Sequence, residues 1–206
     1  MKVVSGALEL DPSDVAGSVK DVPAEHGPQT DHGRLEKLRR WDPLAWTQFF
    51  KEYENKIITL CTAMTRDQAI AEDICADTFV RVVSSIDKFR GNSSIKTWIY
   101  TIARNLCLTH LARAKPTVSL DDEIADTLPD RSPGAEQMLA DREVDTVLRA
   151  AIGQLDPSLR EALLLRVTAD LSYAEIAQVT GVPIATVATH VHRARERLRR
   201  SLAGVL

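Results

Sequence analysis

From Trp41 onward the apolar residues fall at helical intervals. Phe49, Tyr53, Ile57, Leu60, Cys61 and Met64 recur three and four apart, which lays them along one side of a helix. Asp67 reads as the N-cap of a second helix, where Ala71, Cys75, Phe79, Val82 and Ile86 form an apolar stripe and Asp73, Asp77 and Arg81 occupy the other face. A third helix is expected from about Thr97, anchored by Trp98, Ile99, Ile102, Leu106 and Leu111 and stopped by Pro116. The spacing then lapses and returns at Val144, Val147, Leu148, Ala151, Ile152 and Leu155. Asp156-Pro157 follows as an N-cap and first-turn proline, opening the helix "SLREALLLRV". Strand-type alternation is nearly absent. The pattern predicts an all-α protein of two small helical domains.

The stretches outside these runs have a different character. Residues 1 to about 34 mix Gly, Pro, Ser and acids without periodicity and read as a disordered tail. Residues 115 to 140, "KPTVSLDDEIADTLPDRSPGAEQMLA", carry three prolines and many acids and read as a flexible acidic linker. The N-terminus has no positive region followed by an apolar run, and no stretch approaches the ~18 apolar residues of a spanning helix. A soluble, cytoplasmic protein without membrane insertion is expected. Cys61, Cys75 and Cys107 are too few and too scattered for a disulfide framework or a Cys-x-x-Cys metal site, and two of them fall on apolar stripes, where thiols are buried.

"LSYAEIAQVTGVPIATVATHVHRARERLRR" carries the sharpest local signal. Ser172 and Glu175 form a capping box that starts a short helix, and Gly181 suits the left-handed backbone that ends it. Val182 and Pro183 lead into a longer helix. Short helix, Gly-containing turn and long helix make a helix-turn-helix, whose second helix enters the DNA major groove by its N-terminal residues. Thr186, Thr189, His190 and Arg193 are the candidates to face DNA. Arg193, Arg195, Arg197, Arg199 and Arg200 give the helix a cationic end suited to phosphates, although arginines there also complement the helix dipole. His190 and His192 stand two apart, so they diverge on a helix and do not form a metal pair. No metal or other cofactor is expected.

Net charge is only −3, so a nucleic-acid partner has to be signalled by local clustering. Such clustering occurs in "DKFRGNSSIKTWIYTIARN", where Lys88, Arg90, Lys96 and Arg104 surround Phe89, Trp98 and Tyr100 beside a small polar loop. Single-stranded nucleic acid is gripped by cations along its backbone and aromatic faces against its bases. The same residues also suit a loop coated with cations above buried aromatic anchors. Both readings stand on composition alone.

The succession "AEDICADTFVRVV", "KFRGNSSIKTWIYTIARN" and a helix-turn-helix ending "HRARERLRR" resembles the extracytoplasmic-function sigma factors, the compact two-domain class of bacterial sigma subunits. The likeness spans about 41 to 114 and 141 to 203. It implies sigma region 2 over 35–114, a linker over 115–140 and sigma region 4 over 141–206, with no further domain. It also implies that Asp73, Asp77 and Arg81 meet the clamp helices of core RNA polymerase, and that region 4 meets the flap. Asn92, Ser93, Lys96, Trp98, Tyr100 and Asn105 would capture single-stranded bases of the minus-ten promoter element, with Lys88, Arg90 and Arg104 on the backbone. Thr186, Thr189, His190, Arg193, Arg195 and Arg197 would read the duplex minus-thirty-five element. The linker acids Asp121, Asp122, Glu123, Asp126 and Asp130 would lie along the polymerase, and an anti-sigma factor would control the protein. Where family members commonly carry Gly-Thr-Val and two basic positions around a Ser, this chain has Ala185-Thr186-Val187-Ala188-Thr189-His190.

A stand-alone helix-turn-helix regulator is the competing class, with the first domain as a dimerisation or sensor module. Such a module has no need of a basic aromatic loop. An enzyme finds little support: the chain has no Gly-rich phosphate loop and no nucleophile-base ordering.

Overall fold

The computed structural model describes residues 28–113 and 146–203, and every regular element among them is helical. An N-terminal unit comprises α1 (Pro28–Arg39), α2 (Pro43–Thr65), α3 (Gln68–Ser85), a single 3-10 turn (Ile86–Lys88) and α4 (Ile95–Arg113). A C-terminal unit comprises α5 (146–153), α6 (Pro157–Val167), α7 (Tyr173–Thr180) and α8 (Ile184–Leu202). The tail before residue 28, the stop at Pro116 and the linker acids lie outside the described residues.

The helix caps follow local chemistry. Asp42 accepts hydrogen bonds from the Leu44 and Ala45 N–H groups, with Pro43 opening α2. Asp67 accepts from Ile70 N–H to start α3, as its sequence position predicts. Asp156 precedes α6 but its carboxylate caps nothing, because it pairs instead with Arg197 of α8 at 2.5 Å.

Helix α1 begins upstream of the expected tail boundary at 34. Leu35 and Leu38 are three residues apart and both buried. Trp46 Nε1 donates to the Leu38 carbonyl at 3.0 Å, while Arg34 pairs with Glu52 at 2.7 Å and lies over the rings of Phe49 and Tyr53. Two leucines amid polar residues and Gly33 make too short a periodic signal to announce this helix alone.

The predicted stripes of α2 and α3 form the interior of the first unit, with Phe49, Tyr53, Ile57, Leu60, Cys61, Ala71, Cys75, Val82 and Ile86 buried. The same apolar cluster continues without interruption into Ala162, Leu164, Leu165, Leu171, Ile176, Val179, Val187 and Val191 of the second unit. A smaller cluster of Ala151, Leu155, Leu159, Leu163, Ala194, Leu198 and Leu202 holds α5, α6 and α8 together. The two units are therefore packed against each other, with α4 against α7 and α2 against α6.

Arg160 is a buried cation at this junction. Its guanidinium donates to the carbonyls of Ile152 (3.0 Å), Leu155 (2.8 Å), Gly153 and, across the units, Ala63 (3.4 Å). Burial, and then the neighbouring Arg66 cation, lower its pKa. Four carbonyls each lose one donor if this side chain is removed. Arg160→Ala is expected to destabilise the protein by about 3 kcal/mol, read as a lowered denaturation midpoint. A midpoint within experimental error of the parent would contradict the assignment.

Candidate nucleic-acid interface

The cationic loop is built on the turn between α3 and α4. Arg39 of α1 donates to the carbonyls of Ile86 (3.4 Å) and Phe89, tying the turn to the body of the unit. Gly91 sits at φ 72, in the left-handed region that side chains disfavour, and lets the loop reverse before α4. Helix α4 starts at Ile95, two residues ahead of expectation, because Ser94 is its N-cap: the Ser94 hydroxyl accepts from Thr97 N–H at 3.0 Å.

Around this loop Lys88, Arg90, Asn92 and Asn105 are exposed, and Ser93 and Trp98 are half-buried. Trp98 stacks on buried Phe89, with ring centroids 4.6 Å apart and planes 24° from parallel. Phe89 fits the reading of a buried aromatic anchor, and Trp98 keeps one face partly open beside the loop cations.

Three of the sequence candidates are placed differently from expectation. Tyr100 is fully buried, edge-on to Tyr53 at 6.2 Å, and cannot stack on a base from there. Its hydroxyl has no hydrogen-bond partner, and burial, foremost, pushes its pKa up. Lys96 donates to the Asp170 carbonyl of the C-terminal unit at 2.8 Å. Arg104 forms an ion pair with Glu161 of α6 at 2.5 Å, with both side chains largely covered. Alternation along one helix decides these fates, since α4 has an interior face and a face turned to α7, and sequence spacing alone does not separate them.

The C-terminal unit realises the helix-turn-helix. The Ser172–Glu175 capping box is formed in both directions, and Gly181 at φ 72 ends α7. Glu175 has a second role that its capping position concealed: its Oε1 accepts from Ser94 (3.2 Å) and Thr97 (3.3 Å) of α4. Burial opposes the Glu175 carboxylate, but the Ser172 N–H and hydroxyl, Lys96 and Ser94 outweigh it and leave the pKa lowered. The stabilisation from this carboxylate is present above the ordinary carboxylate pKa of about 4 and is lost as pH falls through its lowered value.

On α8, Val187, Val191, Ala194 and Leu198 face inward. Ala185, Thr189, His192 and Arg193 are exposed on the opposite face, while Thr186 and His190 are half-buried beside them. Arg195 lies about 200° around the helix from Arg193, so it leaves that face. Arg197 is committed to Asp156. Of the six residues expected to read duplex DNA, Thr186, Thr189, His190 and Arg193 share this side of α8 without such a pairing.

The outer face of α3 is solvent-exposed at Asp73, Asp77 and Arg81, with Val80 beside them at 66% exposure. No ion pair joins Asp77 to Arg81. All three cysteines are buried, and burial, foremost, pushes the Cys75 pKa to about 11, which keeps that thiol protonated at neutral pH. Among the described residues no His, Cys, Asp and Glu grouping could hold a metal, and no helix is long and apolar enough to cross a membrane.

Residues 49–117 match the family model of sigma-70 region 2, and residues 146–198 that of sigma-70 region 4. The chain is 31% identical to the ECF RNA polymerase sigma factor SigW of Bacillus subtilis over 82% of its own length and 95% of that protein. It is 32% identical to the RNA polymerase sigma-H factor of Pseudomonas aeruginosa, over 86% and 96%. In fold it is similar to CnrH, solved in complex with the cytosolic domain of CnrY (TM-score 0.62, 20% identity, 84% of this chain and 97% of that one). RpoE of Bartonella quintana, solved with the anti-sigma factor NepR, gives a TM-score of 0.62 at 22% identity, over 77% and 96%.

If Tyr100 serves the core, Tyr100→Phe removes an unsatisfied buried hydroxyl, leaves single-stranded DNA binding unchanged and raises stability by about 1 kcal/mol. Fluorescence anisotropy beside thermal melting checks this. Lost DNA binding in a stably folded variant would return Tyr100 to the interface.

Proposed function

The chain belongs to the extracytoplasmic-function sigma factors of bacterial RNA polymerase, and we propose how its surfaces divide the family's work. It binds core polymerase and directs initiation at specific promoters. That family is not a family of enzymes, and this chain acts without chemistry of its own, in the cytoplasm where the polymerase works.

Three surfaces carry the task. The outer face of α3, with Asp73, Asp77 and Arg81 around Val80, docks on the polymerase clamp helices. The reading is supported by their shared exposure and the lack of mutual pairing between Asp77 and Arg81. Lys88, Arg90, Asn92, Ser93 and Trp98 capture the non-template strand of the minus-ten element, joined by Lys96, Arg104 and Asn105 when α4 is uncovered. Trp98 carries this assignment, being a half-open ring held rigidly on Phe89 among cations. Thr186, Thr189, His190 and Arg193 read the duplex minus-thirty-five element, with a single arginine among them and hence a modest electrostatic share. Control by an anti-sigma factor is supported by the complexes in which fold relatives were solved.

Reconstitution with bacterial core polymerase on a promoter library tests the whole reading. Specific initiation is expected, and failure to bind core with duplex binding retained would leave a stand-alone regulator. Within that assay Trp98→Ala removes a stacking contribution of about 1 to 3 kcal/mol. Permanganate reactivity of the minus-ten thymines should fall by roughly tenfold or more, with core binding intact. Undiminished reactivity would remove Trp98 from the melting step. Asp77→Lys should do the reverse, weakening core affinity by roughly tenfold in a competition assay while duplex binding by the full chain stays unchanged.

A further inference from the structure

We propose that a second stacking ring, Trp41 at the corner between α1 and α2, takes a base of the non-template strand just downstream of the minus-ten element, with Arg40 on the neighbouring phosphate. The proposal rests on the minus-ten assignment given above and extends that surface across the end of α1. Upstream of the minus-ten element the DNA stays paired on its way to the minus-thirty-five element, so unpaired bases are offered only on the downstream side.

The corner presents its indole at a backbone position where a bulky residue is out of place. Helix α1 ends in a Schellman cap, in which Asp42 N–H donates to the Lys37 carbonyl and Trp41 N–H to that of Leu38, both at 3.0 Å. The residue just past the helix end must then adopt the left-handed backbone, where glycine is favoured; here it is Trp41, at φ 58. Neither the cap nor the core accounts for the indole, which is 57% exposed. It leans over Trp46, with ring centroids 5.7 Å apart and planes 32° from parallel. Trp46 is itself buried and fixed by its bond to the Leu38 carbonyl. An open ring is thus backed by a rigid one, the construction that also holds Trp98 on Phe89.

The surroundings suit a nucleic-acid strand. Arg39, two residues before Trp41, donates to the carbonyls of Ile86 and Phe89 and so joins the corner to the α3–α4 loop. Exposed cations border this junction, Lys88 and Arg90 on the loop, Lys37 and Arg40 at the end of α1. They outnumber the exposed acids there, Glu36 and Asp87, while Asp42 is held in the α2 cap. Arg40 meets Glu36 only at 3.9 Å and is otherwise open to solvent, which leaves its guanidinium able to turn to a phosphate. Two backed rings joined by a cationic border match the way single strands are bound, with stacking platforms along a positively charged path. Stacking accepts any base, so this corner adds affinity for the melted strand whatever sequence follows the minus-ten element.

The test uses holoenzyme assembled from the full chain and core polymerase. A fluorescent single-stranded oligonucleotide ending at the minus-ten element is compared with one extended downstream by about six nucleotides. Extension should raise the affinity of the parent. Trp41→Gly removes the ring where the backbone already suits glycine, so the fold is kept, and it should forfeit roughly fivefold to tenfold of that gain. Trp41→Phe should retain most of it, and Arg40→Gln should flatten its salt dependence. All three variants should bind the shorter oligonucleotide as the parent does, and iododeoxyuridine placed in the extension should photocrosslink to Trp41. An extension gain equal in the parent and Trp41→Gly holoenzymes, or no crosslink at Trp41, would overturn the proposal and leave the minus-ten assignment standing. Weaker binding of core polymerase by Trp41→Gly, with an unchanged gain once holoenzyme is assembled, would make the corner a protein contact and overturn it as well. Failure of the parent holoenzyme to bind either oligonucleotide would overturn the minus-ten assignment and this proposal with it.

Discussion

Helix α4 is the element on which both the fold and the function depend, because it packs into the core on one side and meets the C-terminal unit on another. Ile95, Ile99, Tyr100, Ala103, Leu106 and Cys107 are buried, while Ser94, Lys96, Thr97 and Arg104 meet the C-terminal unit. The helix that completes the core of one domain thus also carries the polar groups that a promoter strand would use. Its N-terminal turn is rigid by construction, capped by Ser94 and tied through Phe89 to α1. Such rigidity suits a site that holds an unstacked base, since little ordering remains to be done on binding.

Charge is distributed to match. A chain of net charge −3 cannot attract DNA over its whole surface. It separates an acidic outer face on α3 from cations at the α3–α4 loop and along α8, and it covers two further cations, Lys96 and Arg104 of α4, with acceptors from the α6–α7 turn and α6. Long-range repulsion and local attraction together favour DNA contact only in the correct orientation, which suits a subunit that should act on promoters when assembled with polymerase.

Much of this was legible in the residues. The stripes of α2 and α3, the Asp67 cap, the Ser172–Glu175 box and Gly181 all express local rules, and each appears where its spacing places it. Resemblance supplied the order of the surfaces. Tyr100, Arg104 and Arg197 were not legible, because their surroundings come from residues 47, 57 and 41 positions away in the chain: Tyr53, Glu161 and Asp156. Helix α1 went unseen for a related reason, as its two leucines gain meaning only from Trp46 and Phe49. A side chain's periodicity says which neighbours share its face and is silent about what packs there.

Hydrogen exchange followed by mass spectrometry addresses the central claim, that the first turns of α4 pass from the C-terminal unit to promoter DNA. The peptides to watch are 90–104 and 168–176 in the free chain, in the holoenzyme and in the open complex. Both should be protected in the free chain and should lose protection together on binding core polymerase, with 90–104 regaining it when promoter is added. Protection of 90–104 that stays the same through all three states would contradict the account.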